Sequence, residues 1–275
     1  MHPPADAPRP SPRGALSIAF PLRTGKGSPT PGAACGGRRD GYDRDVSRPP
    51  RPTVVHDLRL AGRPVRLRAV VEPERLLDEI DPAEFAADER MPYWATLWPS
   101  SLVLARVLLD ADAGRPFRLR RGERAIELGT GLGLVGIAAA LAGAFVCLTD
   151  YVEESLDHAA ANARLNGLRE GFDFETRLLD WRLAAVPEPF DVALGSDLLY
   201  EARNVEPVLS ALDRVLSPGT GRALIADPQR PAAPAFEAEA RRRGFALDRQ
   251  LFDPEAGAGG RAVAVYRIGP GGKDD

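Results

Sequence analysis

Four short runs of residues carry the chemistry available to this chain. The first is Glu127-Leu128-Gly129-Thr130-Gly131-Leu132-Gly133. Its glycines let backbone pass beside a ligand without a Cβ clash, and a helix that follows offers free N–H groups. The run is ambiguous by itself. Gly131-x-Gly133-x-x-Gly136 also satisfies the dinucleotide-binding spacing, and a purely structural glycine turn is a third reading. Asp150 lies 21 residues beyond Gly129, where a carboxylate can accept both hydroxyls of a ribose. That position supports adenosine binding in general, and it equally suits a cap on the helix that starts at Glu153. Asp180-Trp181 offers a carboxylate to accept from an adenine amino group and an indole to cover the ring face. Ser196-Asp197-Leu198-Leu199-Tyr200 puts an acid and an aromatic three residues apart, able to face a transferred group together. Against both readings, packing is the commoner fate of aromatics such as Trp181 and Tyr200.

These runs fall at regular places in a strand–helix alternation. Strands are expected at 124–128, 144–149, 173–179, 191–194, 221–226, 245–252 and 261–268. Between them lie expected helices at 134–142, 153–165, 205–216 and 232–243. Strands separated by helices of this length imply a parallel sheet covered on both faces. An open parallel sheet takes its ligand beyond the carboxyl ends of its strands, and all four runs sit at such ends. Upstream, Val54 to Leu60 and Val65 to Val70 alternate apolar and polar residues about the turn Ala61-Gly62-Arg63, the pattern of a hairpin. Pro73 to Ile80 predicts a short helix. Ser100 and Ser101 are suited to cap another, whose apolar positions Leu102, Leu104, Val107 and Leu108 recur at helical spacing. The expected architecture is one doubly wound α/β domain with an N-terminal hairpin.

Composition narrows the function classes. The chain has 275 residues, 44% hydrophobic, with a formal net charge of −3. That balance excludes a strongly basic nucleic-acid binder and gives no reason to expect a membrane-surface protein. No run approaches the roughly 18 apolar residues needed to span a bilayer. The two cysteines, Cys35 and Cys147, form no disulfide framework, and His2, His56 and His158 have no metal-ligand spacing. No metal is expected, and a reducing cytoplasm is. The first 52 residues hold 11 Pro and 7 Gly, with nine basic against four acidic side chains. Such a segment cannot bury enough apolar surface to offset its ordering entropy, so 1–52 is expected to be a disordered tail. Residues 53–99 form the hairpin and connector, and 100–270 the main domain.

Ala125 to Asn166 resembles the cofactor-binding half of the seven-strand, S-adenosylmethionine-dependent methyltransferases. The likeness is nearest to the methyltransferase-like group that contains many protein lysine N-methyltransferases. Three further matches carry it. Trp98-Pro99-Ser100-Ser101-Leu102-Val103-Leu104-Ala105 resembles that group's tryptophan-led helix, Asp180-Trp181 its adenine-side motif, and Asp197-Leu198-Leu199-Tyr200 its Asp-x-x-Tyr motif. Gly195-Ser196 stands where many members carry Gly-Ala, and the Asn/Asp-Pro-Pro-Tyr motif of amide and nucleobase N-methyltransferases is absent. The resemblance covers about residues 53–268. It implies a mostly parallel seven-stranded Rossmann-like sheet and S-adenosylmethionine as cofactor, held by Trp98, Glu127, Gly129, Gly131, Gly133, Asp150, Asp180, Trp181 and Ser196. It implies Asp197 and Tyr200 as catalytic residues, a lysine side chain of a protein as acceptor, and a monomeric enzyme.

Methyl transfer from a sulfonium needs a lone pair in line with the S–CH₃ bond, so the enzyme mainly supplies proximity and a dry site. With a reference pKa of about 10.4, a lysine costs about 4.6 kcal/mol to deprotonate at pH 7. Burial beside a positive sulfonium can lower that pKa by roughly 3–5 units. Asp197 is therefore expected mainly to orient the amine and secondarily to accept its proton, with Tyr200 shaping the entrance. The competing readings are a small-molecule or other non-lysine methyltransferase, a nicotinamide-dependent oxidoreductase, and a catalytically silent cofactor-binding protein.

Overall fold

The computed structural model describes residues 51–80, 91–110, 117–183, 186, 188–253 and 261–271. The expected tail therefore lies outside the described residues except for Arg51 and Pro52, as does the part of the connector from 81 to 90.

Strands β1 (Thr53–Leu60) and β2 (Arg63–Val70) pair antiparallel in register through the Ala61-Gly62 turn. The alternation read from the sequence sorts the side chains of β2: Val65, Leu67 and Ala69 are buried while Arg66 and Arg68 face out. The short helix expected here is present over Pro73–Glu79 and is of the tight 3₁₀ type. Its entry residue Glu72 adopts a left-handed conformation, and Leu76 is the one buried side chain of the turn. With so little apolar face, packing gives a full α-helix no advantage.

Helix α1 (Pro99–Leu109) begins differently from expectation. Trp98 is its N-cap residue and Pro99 its first turn, where the missing N–H of proline costs nothing. Ser100 and Ser101 are thus already inside the helix. The Ser101 hydroxyl donates back to the Trp98 carbonyl at 2.6 Å, and that of Ser100 is used elsewhere.

The main sheet contains β3 (Arg124–Leu128), β4 (Phe145–Asp150), β5 (Phe174–Leu178), β6 (Val192–Ser196), β7 (Arg222–Asp227), β8 (Phe245–Phe252) and β9 (Val263–Pro270). Their spatial order is β5-β4-β3-β6-β7-β9-β8. Neighbours are parallel except β9, which runs antiparallel to both β7 and β8. The expected mostly parallel seven-stranded sheet is therefore present. The chain leaves β3 toward β4 on one side and later returns to place β6 on the other. The end of β3 is thus the switch point where an open sheet leaves a crevice.

Helices α2 (Leu134–Leu141), α3 (Glu153–Leu165), α4 (Val205–Val215) and α5 (Ala233–Arg242) complete the layers. One buried cluster joins the hairpin residues Leu60, Val65 and Leu67 to α1, α2 and α3 over one face of the sheet. The other joins α4 and α5 to the opposite face. The hairpin is further tied down by two amides one turn apart on α3. Asn162 exchanges hydrogen bonds with the backbone of Arg68 at 2.7 and 2.9 Å, and Asn166 with that of Arg66 at 2.8 and 2.6 Å. These amides occupy backbone groups along the edge of β2, which would otherwise be open to pairing with another strand.

Candidate functional site

The glycine loop leaves β3 at the switch point. Gly129, Gly131 and Gly133 all have positive φ, at 73°, 49° and 83°. At Gly133 the need is also steric, because an added Cβ would lie 3.0 Å from that of Ala159 on α3. The loop is pinned by Asp150 at the end of β4. The Asp150 carboxylate accepts from the Gly131 N–H at 2.9 Å, the Val152 N–H at 3.1 Å and the Ser155 hydroxyl at 2.8 Å. Burial nevertheless pushes its pKa up. As a helix cap Asp150 falls short, since Val152 is the N-cap residue of α3 and no side chain caps that helix.

The Ser155 hydroxyl has one proton and two acceptors within reach, the other being the Gly131 carbonyl at 3.0 Å. Turning to that carbonyl frees a lone pair on Asp150 for an incoming hydroxyl. Glu127, fully buried at the end of β3, lies beneath the same loop, with Thr130 as a distant donor at 3.5 Å.

The Asp180-Trp181 pair is placed less as expected. The Asp180 carboxylate is gripped by Arg182, whose side chain donates at 3.0 and 2.7 Å and whose backbone N–H donates at 3.0 Å. The carboxylate expected to accept from an adenine amino group is thus ion-paired. Trp181 is buried in the core beneath α4, with its ring nitrogen 3.7 Å from where a Gly129 Cβ would stand. The same added Cβ would lie 3.6 Å from Leu198, so the Asp-Trp and Asp-x-x-Tyr runs converge on the loop.

Beside it, the end of β6 carries the most constrained acid in the site. Asp197 is fully buried in a left-handed conformation at φ 57°, a region that Asp and Asn enter more readily than most residues. One carboxylate oxygen is ion-paired to Arg230 Nε, and the other accepts from the Ser100 hydroxyl at 3.0 Å. Burial dominates these contacts and, with repulsion from Asp227, raises its pKa to about 7. Asp227, also buried, is pushed to about 6 by the same cause. Ser196, the residue before Asp197, has a buried hydroxyl without a hydrogen bond.

Aromatic rings form the outer edge. Tyr93 meets Trp98 edge-on at 5.9 Å and Tyr200 at 5.5 Å, and the Arg230 guanidinium lies 5.2 Å above the Trp98 ring. Burial raises the pKa of Tyr200, keeping its hydroxyl protonated. Trp98 therefore lies at the acid end of the site, against the guanidinium that pairs with Asp197.

Residues 85–237, more than half of the chain, match the lysine methyltransferase family. The chain belongs to that family. Among its relatives, the protein N-lysine methyltransferase METTL21A of Danio rerio is 30% identical over 65% of this chain and 78% of its own. The electron transfer flavoprotein beta subunit lysine methyltransferase of Xenopus laevis is 31% identical over 50% of this chain and 53% of its own. The human histone-arginine methyltransferase METTL23 is 31% identical over 42% and 60%. The chain thus spans about half the length of the flavoprotein-directed relatives it matches.

Five residues not singled out for the site in the sequence lie in the candidate site: Tyr93, Ser100, Arg182, Asp227 and Arg230. A usable signal existed for two of them. Asp227-Pro228-Gln229-Arg230 leaves the carboxyl end of β7, and the rule that located the other four runs applies there too. Tyr93, Ser100 and Arg182 had no such marker.

Proposed function

We propose that the chain transfers the methyl group of S-adenosylmethionine to the ε-amino group of a lysine in a protein. When bound, that cofactor supplies a sulfonium whose methyl group a neutral amine can attack. The residues present suit it. Asp150 can trade the Ser155 hydroxyl for one of the ribose, Gly129 to Gly133 give a loop without side-chain obstruction, and the Ser196 hydroxyl offers an unused hydrogen-bonding group. Trp181 borders the loop on the adenine side, and Asp180 reaches an adenine amino group only alongside Arg182.

The observation that carries the reading is Asp197: a buried acid at the end of β6, next to Leu198, which lies 3.6 Å from where a Cβ on Gly129 of the loop would stand. A carboxyl poised at about 7 divides between its two forms at neutral pH. As the anion it orients an amine, and it can then accept the proton that the amine must lose. Tyr200 and Tyr93 frame the entrance with ring faces that suit a long aliphatic side chain ending in a cation.

Support for the protein acceptor comes from the names of the relatives above; METTL23 shows that arginine is an acceptor for one of them. Among the described residues, no helix is long and apolar enough to cross a membrane and no cluster could hold a metal ion. We further place the protein in the cytoplasm as a monomer, consistent with the buried free thiol of Cys147.

The test is transfer of tritium from methyl-labelled S-adenosylmethionine into a proteome, followed by mass spectrometry of the labelled products. Label on the ε-amino group of a lysine is the expected result. Label on arginine, or in metabolites alone, overturns the acceptor assignment.

A further inference from the structure

Arg230 stands in the site without a role in the reading above, and its placement is unusually determined. Its backbone N–H donates to Asp227 at 2.7 Å. The preceding Gln229 holds a left-handed conformation at φ 61° and is pinned at both ends of its amide, donating to the Ala262 carbonyl at 2.8 Å and accepting from Arg249 at 2.9 Å. The turn after β7 is therefore held from two sides, and the guanidinium it projects is held by two more. Trp98 lies under its face, and Asp197 accepts from its Nε. A guanidinium is planar and stays charged at every working pH, so it suits a seat between an aromatic face and a carboxylate.

We propose that Arg230 is the positioning residue of the methyl-transfer site, holding Asp197 ionised and aimed at the amine. The proposal rests on Asp197 being the acid that meets the acceptor. Burial favours the protonated form of Asp197, which as a neutral acid orients an amine poorly and takes no proton. The charged groups acting on it are Arg230 and Asp227, both on the turn at the end of β7, while α1 contributes only the Ser100 hydroxyl. Asp227 pushes Asp197 toward protonation, and Arg230 is the single cation opposing it among those groups. The guanidinium also balances the carboxylate charge, so the arriving lysine finds an acceptor for its hydrogen bond without a lone counter-ion that would hold its proton.

The deciding measurement is the titration of the Asp197 carboxyl by carbon-13 NMR in aspartate-labelled protein, with the signal assigned by its loss in Asp197→Asn. In Arg230→Gln the midpoint moves up by one pH unit or more, and in Arg230→Lys it returns part of the way. A second readout is kcat/KM against pH. The acidic limb of Arg230→Gln moves alkaline by the same interval, giving a loss of about fivefold or more at pH 7 that narrows toward pH 9. A packing role for Arg230 predicts the same fractional loss at every pH. An unchanged midpoint, or a pH-independent loss with an intact melting curve, overturns the proposal. Should Arg230→Gln fail to fold, Arg230→Lys decides alone: a midpoint moved up by part of that interval, with the acidic limb of kcat/KM moving with it, supports the proposal, and an unmoved midpoint or a pH-independent loss rejects it. The carboxyl titration needs no acceptor, so a shifted midpoint together with label on arginine or metabolites would leave Arg230 in place and remove only the lysine assignment.

Discussion

Asp150 and Asp197 are both buried acids at the carboxyl ends of the two parallel strands that flank β3, yet their partners come from very different distances along the chain. Asp150 is met by Gly131, Val152 and Ser155, none more than 19 residues away. Asp197 is met by Ser100, 97 residues earlier, and by Arg230, 33 residues later. The side proposed for the cofactor is thus a local construction, finished once β3, α2, β4 and the start of α3 have formed. The side proposed for the acceptor exists only after α1 and the turn beyond β7 have docked against β6. A local arrangement can satisfy its own acid with backbone N–H groups. The assembled one relies on an ion pair in a dry place, where charge is costly and small changes move a pKa far. That difference suits the two tasks: holding a ligand asks for rigidity, and handling a proton asks for a group balanced near neutrality.

The comparison breaks most visibly at Asp197. Asparagine tolerates the left-handed backbone there and keeps the size while removing the charge. Asp197→Asn should lower single-turnover methyl transfer by about 10²-fold or more, the range of a positioned acid–base group. Cofactor affinity measured by calorimetry should change little, because the cofactor side is built without Asp197. Near-parental turnover with a lowered melting temperature would sink the catalytic assignment and leave Tyr200 as the remaining candidate.

Asp150→Ala tests the opposite side. Removing it strands the Gly131 and Val152 N–H groups and takes away the acceptor proposed for the ribose. Charge-assisted hydrogen bonds of this kind contribute roughly 1.5–3 kcal/mol each. Affinity for S-adenosylmethionine should weaken by about ten- to a hundredfold, and the melting temperature should fall with it. Unchanged affinity with lowered stability would confine Asp150 to holding the loop.

A smaller effect sharpens the contrast through pH. Asp227 has its pKa raised from 3.8 to about 6 in the folded protein. Between those values the folded state binds more protons than the unfolded one, so stability falls as pH rises. Its contribution is fully present below about pH 4 and lost as pH passes 6. Asp227→Asn should remove this slope, gaining on the parent by up to about 3 kcal/mol across the window. Parallel denaturation curves for the two proteins from pH 4 to 7 would show that burial of Asp227 carries no such penalty.

What could be read from the sequence follows the same division. Helix α3 and strand β8 lie at the expected residues, because each combines a clear period with a glycine just past or just before it. The glycine loop and Asp150 were legible since their spacing is set by one strand, one helix and the next strand. Asp197 and Tyr200 were legible as types in a place, but the clamp on Asp197 was not. Nothing local marks Ser100 as its donor, and local reasoning assigned that hydroxyl to a helix cap. The sequence marked Asp180-Trp181 as a pair but not the arginine two residues on that takes up the Asp180 carboxylate. In each case tertiary contacts decided where a polar group spent its hydrogen bonds.

The smallest expected effect lies where the hairpin begins. Arg51 and Pro52 fall within the expected tail, yet both are engaged. The Arg51 guanidinium bridges Glu79 at 2.7 Å and Glu154 at 2.6 Å, and the Pro52 carbonyl accepts from Val71 at 2.9 Å. These contacts join the first strand to the 3₁₀ turn and to α3. Pairs of partly exposed charges contribute about 0–1 kcal/mol, and a single backbone bond about as much. A protein starting at Arg51 should keep the melting temperature and methyl-transfer rate of the full chain. One starting at Thr53 should melt a few degrees lower, since about 1 kcal/mol moves the midpoint by roughly 2–4 °C at this size, while its rate per folded molecule stays the same. The pair of proteins therefore separates two meanings of the basic segment. Equal melting temperatures for the two starts would show that Arg51 and Pro52 hold nothing. A loss of turnover already in the protein starting at Arg51, with cofactor still bound, would instead assign residues 1–50 to recruitment of the acceptor.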